Sequence, residues 1–171
     1  SNHSNNYVFS TAIAETKDND SNNSIFQYIF NQTTGQLIPN TPYKLTLSEQ
    51  LGPRHFCFHP QKNDFVYFSN EQGSSVSVSQ INQKTGTLKY LQHISTLPEN
   101  YNQENTCSQI HITSNGKFLF APNRGHNSIA SFSIDQNSGL LNKINHTMVD
   151  PVPRAFNLDP SGEYLYVTGL T

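Results

Sequence analysis

Tryptophan is absent from the 171 residues, methionine occurs once and cysteine twice. Cys57 and Cys107 are too few to staple a small disulfide scaffold, and neither belongs to a CxxC pair, which points to a reduced, cytoplasmic setting. Charge is also scarce. Ten Lys plus Arg face twelve Asp plus Glu, for a formal charge of −2, and that balance excludes a basic nucleic-acid surface. No run of about 18 apolar residues is present to cross a bilayer. Ser1-Asn2-His3-Ser4 has neither the charged start nor the apolar stretch of a signal peptide. The chain therefore reads as soluble, with no membrane or nucleic-acid partner. What it does have is eleven Phe, eight Tyr and 21 Asn. Rings and β-branched residues must build the core, and the Asn and Ser clusters favour short strands joined by turns.

Three segments align with one another without gaps: Ser24 to Leu37, Ser75 to Leu88 and Ser128 to Leu141, beginning 51 and 53 residues apart. In each, Ile25/Val76/Ile129 begins a strand of period two, Asn31/Asn82/Asp135 opens a turn, and Gly35/Gly86/Gly139 supplies backbone freedom before the next strand. This is a hairpin. A second hairpin lies upstream: Arg54 to Phe58, a turn over His59-Pro60-Gln61-Lys62-Asn63, then Phe65 to Phe68. Its counterparts are Ser108 to Ile112 with Phe118 to Phe120, and Arg154 to Leu158 with Tyr164 to Tyr166. Four antiparallel strands in about 50 residues, with no helical periodicity between copies, predict an all-β chain built of propeller blades. The blade parts fall at approximately 1–51, 52–106, 107–152 and 153–171. The first is cut, because Tyr7-Val8-Phe9 aligns with the second strand of the next copy. A closed propeller usually needs 4–8 blades, so the chain reads as part of a larger ring.

Superposing the copies separates packing positions from positions free to do chemistry. At the start of the first strand the copies read Arg54, Ser108 and Arg154, and three residues on they read Cys57, His111 and Asn157. At the end of the second strand they read Asn70-Glu71, Asn123-Arg124 and Gly169-Leu170. If the first strands line a central channel, these sites converge and gather Arg54, Glu71, His111, Arg124 and Arg154 in one polar pocket. Such a set suits a small anionic substrate. Guanidinium groups fork onto phosphate or carboxylate, Glu71 or His111 can act on a water, and a neighbouring Arg can stabilise an oxyanion.

The same residues have plainer readings. Arg54 and Arg154 each follow a proline and can tie blade to blade. Glu71 and Arg124 can form a structural ion pair, and His111, between Ile110 and Ile112, can be a hydrogen-bonded core histidine. His55, His59 and His126 lie at strand edges or turns and read as solvated, while His93 and His146 carry no signal. Cys57 reads as a small core residue, and the Asn-rich stretch from Thr16 to Asn23 as a connecting loop. No set of His, Cys or carboxylates has metal-ligand spacing, so neither a metal nor a cofactor is expected. There is no G-x-S-x-G elbow, P-loop or dinucleotide fingerprint.

Taken in order, Gly52-Pro53-Arg54-His55, Phe58-His59-Pro60, Asn70-Glu71, Pro98-Glu99-Asn100-Tyr101, Ile110-His111-Ile112-Thr113, Asn123-Arg124 and Pro153-Arg154-Ala155-Phe156 resemble the lactonase family of seven-bladed propellers. That family includes the propeller-type 6-phosphogluconolactonase and the fungal 3-carboxy-cis,cis-muconate lactonizing enzyme. The resemblance implies metal-free lactone chemistry, with Arg54, Glu71, His111, Arg124 and Arg154 falling on the family's polar motifs; Glu71, His111 and Arg124 are expected to be catalytic, and Arg54, Arg154, Asn70 and Asn123 to bind substrate. The family's further histidine, in the blade before the Pro-Arg-His motif, has no counterpart here, since His3 aligns with a turn. Two chemistries fit the resemblance: hydrolysis of a sugar lactone, foremost 6-phosphogluconolactone, and ring closure of a carboxylated muconate. A propeller that only binds remains the alternative of a different class, and it predicts charged residues scattered around the rim.

Overall fold

A computed structural model describes residues 6–13, 23–47 and 51–170. Of the Asn-rich stretch only Asn23 falls within them, and His3 lies outside. Thirteen strands and no helix make up the described fold, and no helix among the described residues is long and apolar enough to cross a membrane.

The strands form four antiparallel sheets in chain order. Sheet 1 is β1 (Tyr7–Ala12), β2 (Ser24–Phe30) and β3 (Leu37–Thr46). Sheet 2 is β4 (Pro53–Phe58), β5 (Phe65–Asn70), β6 (Ser75–Ile81) and β7 (Leu88–Ser95). Sheet 3 is β8 (His111–Ile112), β9 (Phe118–Asn123), β10 (Ser128–Ile134) and β11 (Leu141–Met148). Sheet 4 is the single hairpin of β12 (Ala155–Leu158) and β13 (Leu165–Thr168).

The repeat read from the sequence is kept in the register. Tyr7 stands opposite Ile29, Phe65 opposite Gln80, and Phe118 opposite Ser133, which are one position carried through three sheets. The hairpin turns repeat as well. Asn31, Asn82 and Asp135 each accept two backbone N–H groups through the side chain, from Thr33 and Thr34, Lys84 and Thr85, and Asn137 and Ser138. Such a turn must be left through a residue at positive φ, and Gly35, Gly86 and Gly139 stand there at +74°, +70° and +72°.

Packing follows the alternation of β5. Phe65 and Tyr67 face sheet 3 in a cluster with Leu119, Ala121, Phe132 and Leu141, while Val66 and Phe68 face sheet 1 with Tyr7, Phe9 and Ile25. Both faces of the strand are covered, so its six residues are all buried, and each large apolar side chain contributes about 1.5–3 kcal/mol by leaving water. The sheets are also keyed together by rings set on glycine turns. A Cβ on Gly86 would fall 2.1 Å from the Tyr7 ring, and one on Gly139 would fall 2.5 Å from that of Phe65. The Tyr7 hydroxyl donates to the Lys84 carbonyl and that of Tyr67 to the Gly139 carbonyl.

One expectation is overturned here. His59 is not solvated but fully buried. Its Nδ1 accepts the N–H groups of Gln61 and Lys62, so Nε2 carries the proton and donates to the Gly116 carbonyl of the next sheet. Thr113 and Asp159 hold the same corner in sheets 3 and 4, each pairing its backbone N–H across the turn as His59 does.

Candidate active site

The charged residues meet where the second strands end and the first strands begin. Glu71 follows the last residue of β5, and its backbone is stitched on both sides. Its N–H donates to the Gly52 carbonyl at 2.8 Å, and its carbonyl accepts the Cys107 N–H at 3.1 Å. The carboxylate so placed lies between two guanidiniums. Arg54 approaches Oε2 through Nε at 3.2 Å, and Arg124 bonds Oε1 through Nη2. Arg124 Nη2 also donates to the Cys107 carbonyl at 2.9 Å. Exposure of the three side chains is 29% for Arg54 and 18% for each of the others. One negative group therefore answers two positive ones inside a half-buried corner, leaving net positive charge for an anion.

His55 links this corner to the remaining residues. It lies within electrostatic reach of Arg54, Glu71, His111 and Arg124. Its pKa is lowered by burial first and by Arg54 next, with Glu71 opposing them. Arg54, His55, Gln109 and Arg154 line one cavity of about 350 Å³. His111 is half-buried, its ring edge-on to Phe156 at 4.7 Å between centroids. Burial lowers its pKa against an opposing contribution from the Phe156 backbone. Both imidazoles are thus held toward the neutral form, in which a ring nitrogen can take a proton.

Of the residues expected from the sequence, Arg54, Glu71 and Arg124 touch directly; Arg154 shares a cavity with Arg54 and His55, His111 is within electrostatic reach of His55 alone among these, and Arg124 lines a separate cavity with Asn105 and Val152. Asn70 and Asn123, expected beside the substrate, lie beneath the cluster instead and are 0% exposed. Asn70 donates to Ser75 and Ser77, and Asn123 bonds to Thr96, Asn105 and Ser128. Cys57, matched with His111 in the repeat, packs against the core, as a small apolar residue should. Ser108, matched with the two arginines, is the residue that ties sheets together, donating to the Pro153 carbonyl and accepting from Ser69.

The sequence reads His55 as a solvated edge residue, and it is exposed in the structure, yet it also lines the cavity of Arg54 and Arg154. The register of β4 on β5 breaks between Pro53 and Phe56, and a bulge of this kind re-aims side chains that strict alternation would send to opposite faces. The adjacent Arg54 and His55 therefore line the same cavity. Its one sequence signal was its place in Gly52-Pro53-Arg54-His55.

Sheets in fan order, with guanidinium, carboxylate and imidazole groups gathered where their first strands begin, define the class: a β-propeller with a charged cleft. The family model described as Lactonase, 7-bladed beta-propeller matches residues 19–170, and the chain belongs to that family. Among solved structures it is similar to a periplasmic gluconolactonase of Pseudomonas aeruginosa, at 24% identity and a TM-score of 0.85 over 98% of this chain and 45% of that one. It is also similar to a Bacteroides uniformis protein provisionally described as a 6-phosphogluconolactonase, at 25% identity and a TM-score of 0.81 over 96% and 44%. A Lactobacillus plantarum protein matches at 28% identity and a TM-score of 0.79 over 86% and 42%. The chain thus spans less than half the length of these proteins.

Proposed function

We propose that the full-length protein hydrolyses a sugar lactone, 6-phosphogluconolactone, to 6-phosphogluconate. The observation that carries this reading is the Glu71 carboxylate gripped by Arg54 and Arg124, with the His55 imidazole within electrostatic reach of it and of His111. A carboxylate held by two guanidiniums is a counter-charge that fixes both, so the proton-accepting role falls to an imidazole, and His111 is our choice. Water attacks the ring carbonyl carbon and gives its proton to His111. The carbonyl oxygen becomes an oxyanion beside Arg124, and collapse breaks the ring C–O bond, the proton passing from His111 to the departing ring oxygen. Arg54 and Arg154 hold the phosphate across the cavity they share, in the fork geometry that suits guanidinium. The family and the similarity to gluconolactonases support this substrate class, and the two unpaired thiols, Cys57 and Cys107, support a cytoplasmic setting.

Turnover of 6-phosphogluconolactone by the full-length protein tests the reading. Arg124→Ala and His111→Ala should each lower kcat/KM by about 10²–10⁴-fold, the usual worth of an oxyanion contact or a general base. Unchanged rates in both variants, or turnover of a carboxylated muconate in place of the lactone, would overturn it.

A further inference from the structure

Arg124 is held less by its own sheet than by the segment that crosses above it. Residues 96–110 run from the end of β7 to the start of β8, and this strap touches Arg124 at several points. The Thr106 carbonyl accepts the Arg124 N–H at 2.9 Å, and the Cys107 carbonyl accepts its Nη2 at 2.9 Å. The Cys107 N–H meanwhile donates to the Glu71 carbonyl, so one peptide unit bonds both members of the ion pair.

The strap is in turn pinned by Asn105. Its Oδ1 accepts the N–H groups of Gly125 at 2.9 Å and His126 at 3.1 Å, the two residues that follow Arg124. Its Nδ2 donates to Ser74 Oγ at 2.9 Å and Asn123 Oδ1 at 3.1 Å. All the hydrogen-bonding capacity of the amide is used, and it joins sheet 2, sheet 3 and the turn carrying Arg124. The strap also presses so close that a Cβ on Gly125 would lie 2.0 Å from the Glu104 carbonyl oxygen. Sheet 2 has the same crossing without the amide. There Leu51 passes over Gly73, taking the Gly73 N–H on its backbone carbonyl.

We propose that Asn105 is a positioning residue: it fixes the Arg124-Gly125-His126 turn to the strap and so sets the guanidinium on Glu71 and the Cys107 carbonyl. This deepens the lactonase reading and rests on it for its catalytic meaning, but the geometry it asserts can be measured without any substrate. The Asn105→Leu variant puts the sheet 2 residue in its place and removes every side-chain bond. The Asn105→Asp variant keeps the acceptor for Gly125 and His126.

The test is side-chain ¹⁵N NMR of Arg124 in the full-length protein, with backbone amide spectra as the check on folding. Separate, slowly exchanging Nη signals are expected in the parent protein, because rotation of the guanidinium is blocked by Glu71 and Cys107. They should collapse to one averaged signal in Asn105→Leu and return in Asn105→Asp, with affinity for 6-phosphogluconate falling at least about tenfold and recovering in parallel. Separate Nη signals in Asn105→Leu, or collapsed ones in a folded Asn105→Asp protein, would overturn the proposal. If Asn105→Leu does not fold, Asn105→Asp and Thr96→Val carry the decision. Thr96→Val removes the hydroxyl that joins Cys107 to Asn123 and leaves the bonds of Asn105 to Gly125 and His126, so Arg124 must stay ordered in both. Failure of the lactonase reading has a different mark: no turnover and no 6-phosphogluconate binding, with the Nη signals behaving as described.

Discussion

Two corners of the molecule occupy the same place in the repeat and were put to different use. In sheet 2 the second strand ends in Asn70-Glu71, and in sheet 3 in Asn123-Arg124. The backbone is alike at both, with Asn70 opposite Ser75 and Asn123 opposite Ser128. Yet Asn70 bonds two serines of its own sheet and leaves Oδ1 buried with no partner. Asn123 reaches across to the strap at Thr96 and Asn105. A repeat fixes where a side chain starts. What it can hold depends on the segment that passes above it, and among the described residues that segment supplies amide and hydroxyl partners above Arg124, from Asn105 and Thr96, where Leu51 and Leu47 stand over sheet 2.

The sharpest way to break the comparison is to truncate both asparagines and follow urea denaturation. Asn123→Ala takes one partner each from the Thr96 carbonyl, the Thr96 hydroxyl, the Asn105 amide and Ser128, and is expected to cost about 2–3 kcal/mol. Asn70→Ala removes an already unsatisfied oxygen and should cost about 1 kcal/mol. Equal losses would mean that the strap contributes nothing to holding the corner.

A second pair sharpens it from the other side. Gly52 and Val152 both precede a proline-arginine step and both sit in the left-handed region, at φ +63° and +54°. For a β-branched residue that conformation is strained by about 1–2 kcal/mol. Val152→Gly should therefore raise stability by about 1 kcal/mol, read as a higher urea midpoint. The reverse change, Gly52→Val, should lower it, because a Cβ there meets the Gln72 side-chain oxygen at 2.5 Å.

The smallest effect is on pH dependence. His55 and His111 titrate lower in the folded protein than free imidazole does, burial being the largest cause for each. The unfolded chain takes up these protons first, so stability should begin to fall as pH drops through about 6.5, the ordinary histidine value, and keep falling toward the folded values. Melting temperature followed from pH 8 to 5 should show a shallower acid decline in His111→Gln, and an unchanged slope would remove His111 from the account.

Much of this was legible before any coordinates. The Asn-to-Gly spacing gave the turns, the gapless copies gave the sheets, and comparison of matched positions picked out Arg54, Glu71 and Arg124, which do meet. The strands themselves hid the rest. A bulge between Pro53 and Phe56 and a first strand in sheet 3 of only two residues break the alternation from which facing is inferred, so His55 was passed over. His59 and the two asparagines were misjudged for one shared reason. Their side chains are spent on backbone groups and side chains in other strands or turns, and a linear pattern carries no trace of such partners.

The aromatic rings seated on glycine turns have a kinetic meaning. The Tyr67 hydroxyl reaches a carbonyl 72 residues away and that of Tyr7 one 77 residues away, whereas each hairpin closes within a short loop. Hairpins should form early and alone, and the stacking of one vane on the next should come late, because distant contacts cost more chain entropy to bring together. Glu71 and Arg124, 53 residues apart, meet only in that late step. A polypeptide with all its hairpins made but its vanes unstacked would look almost fully ordered by secondary structure and have no cleft at all.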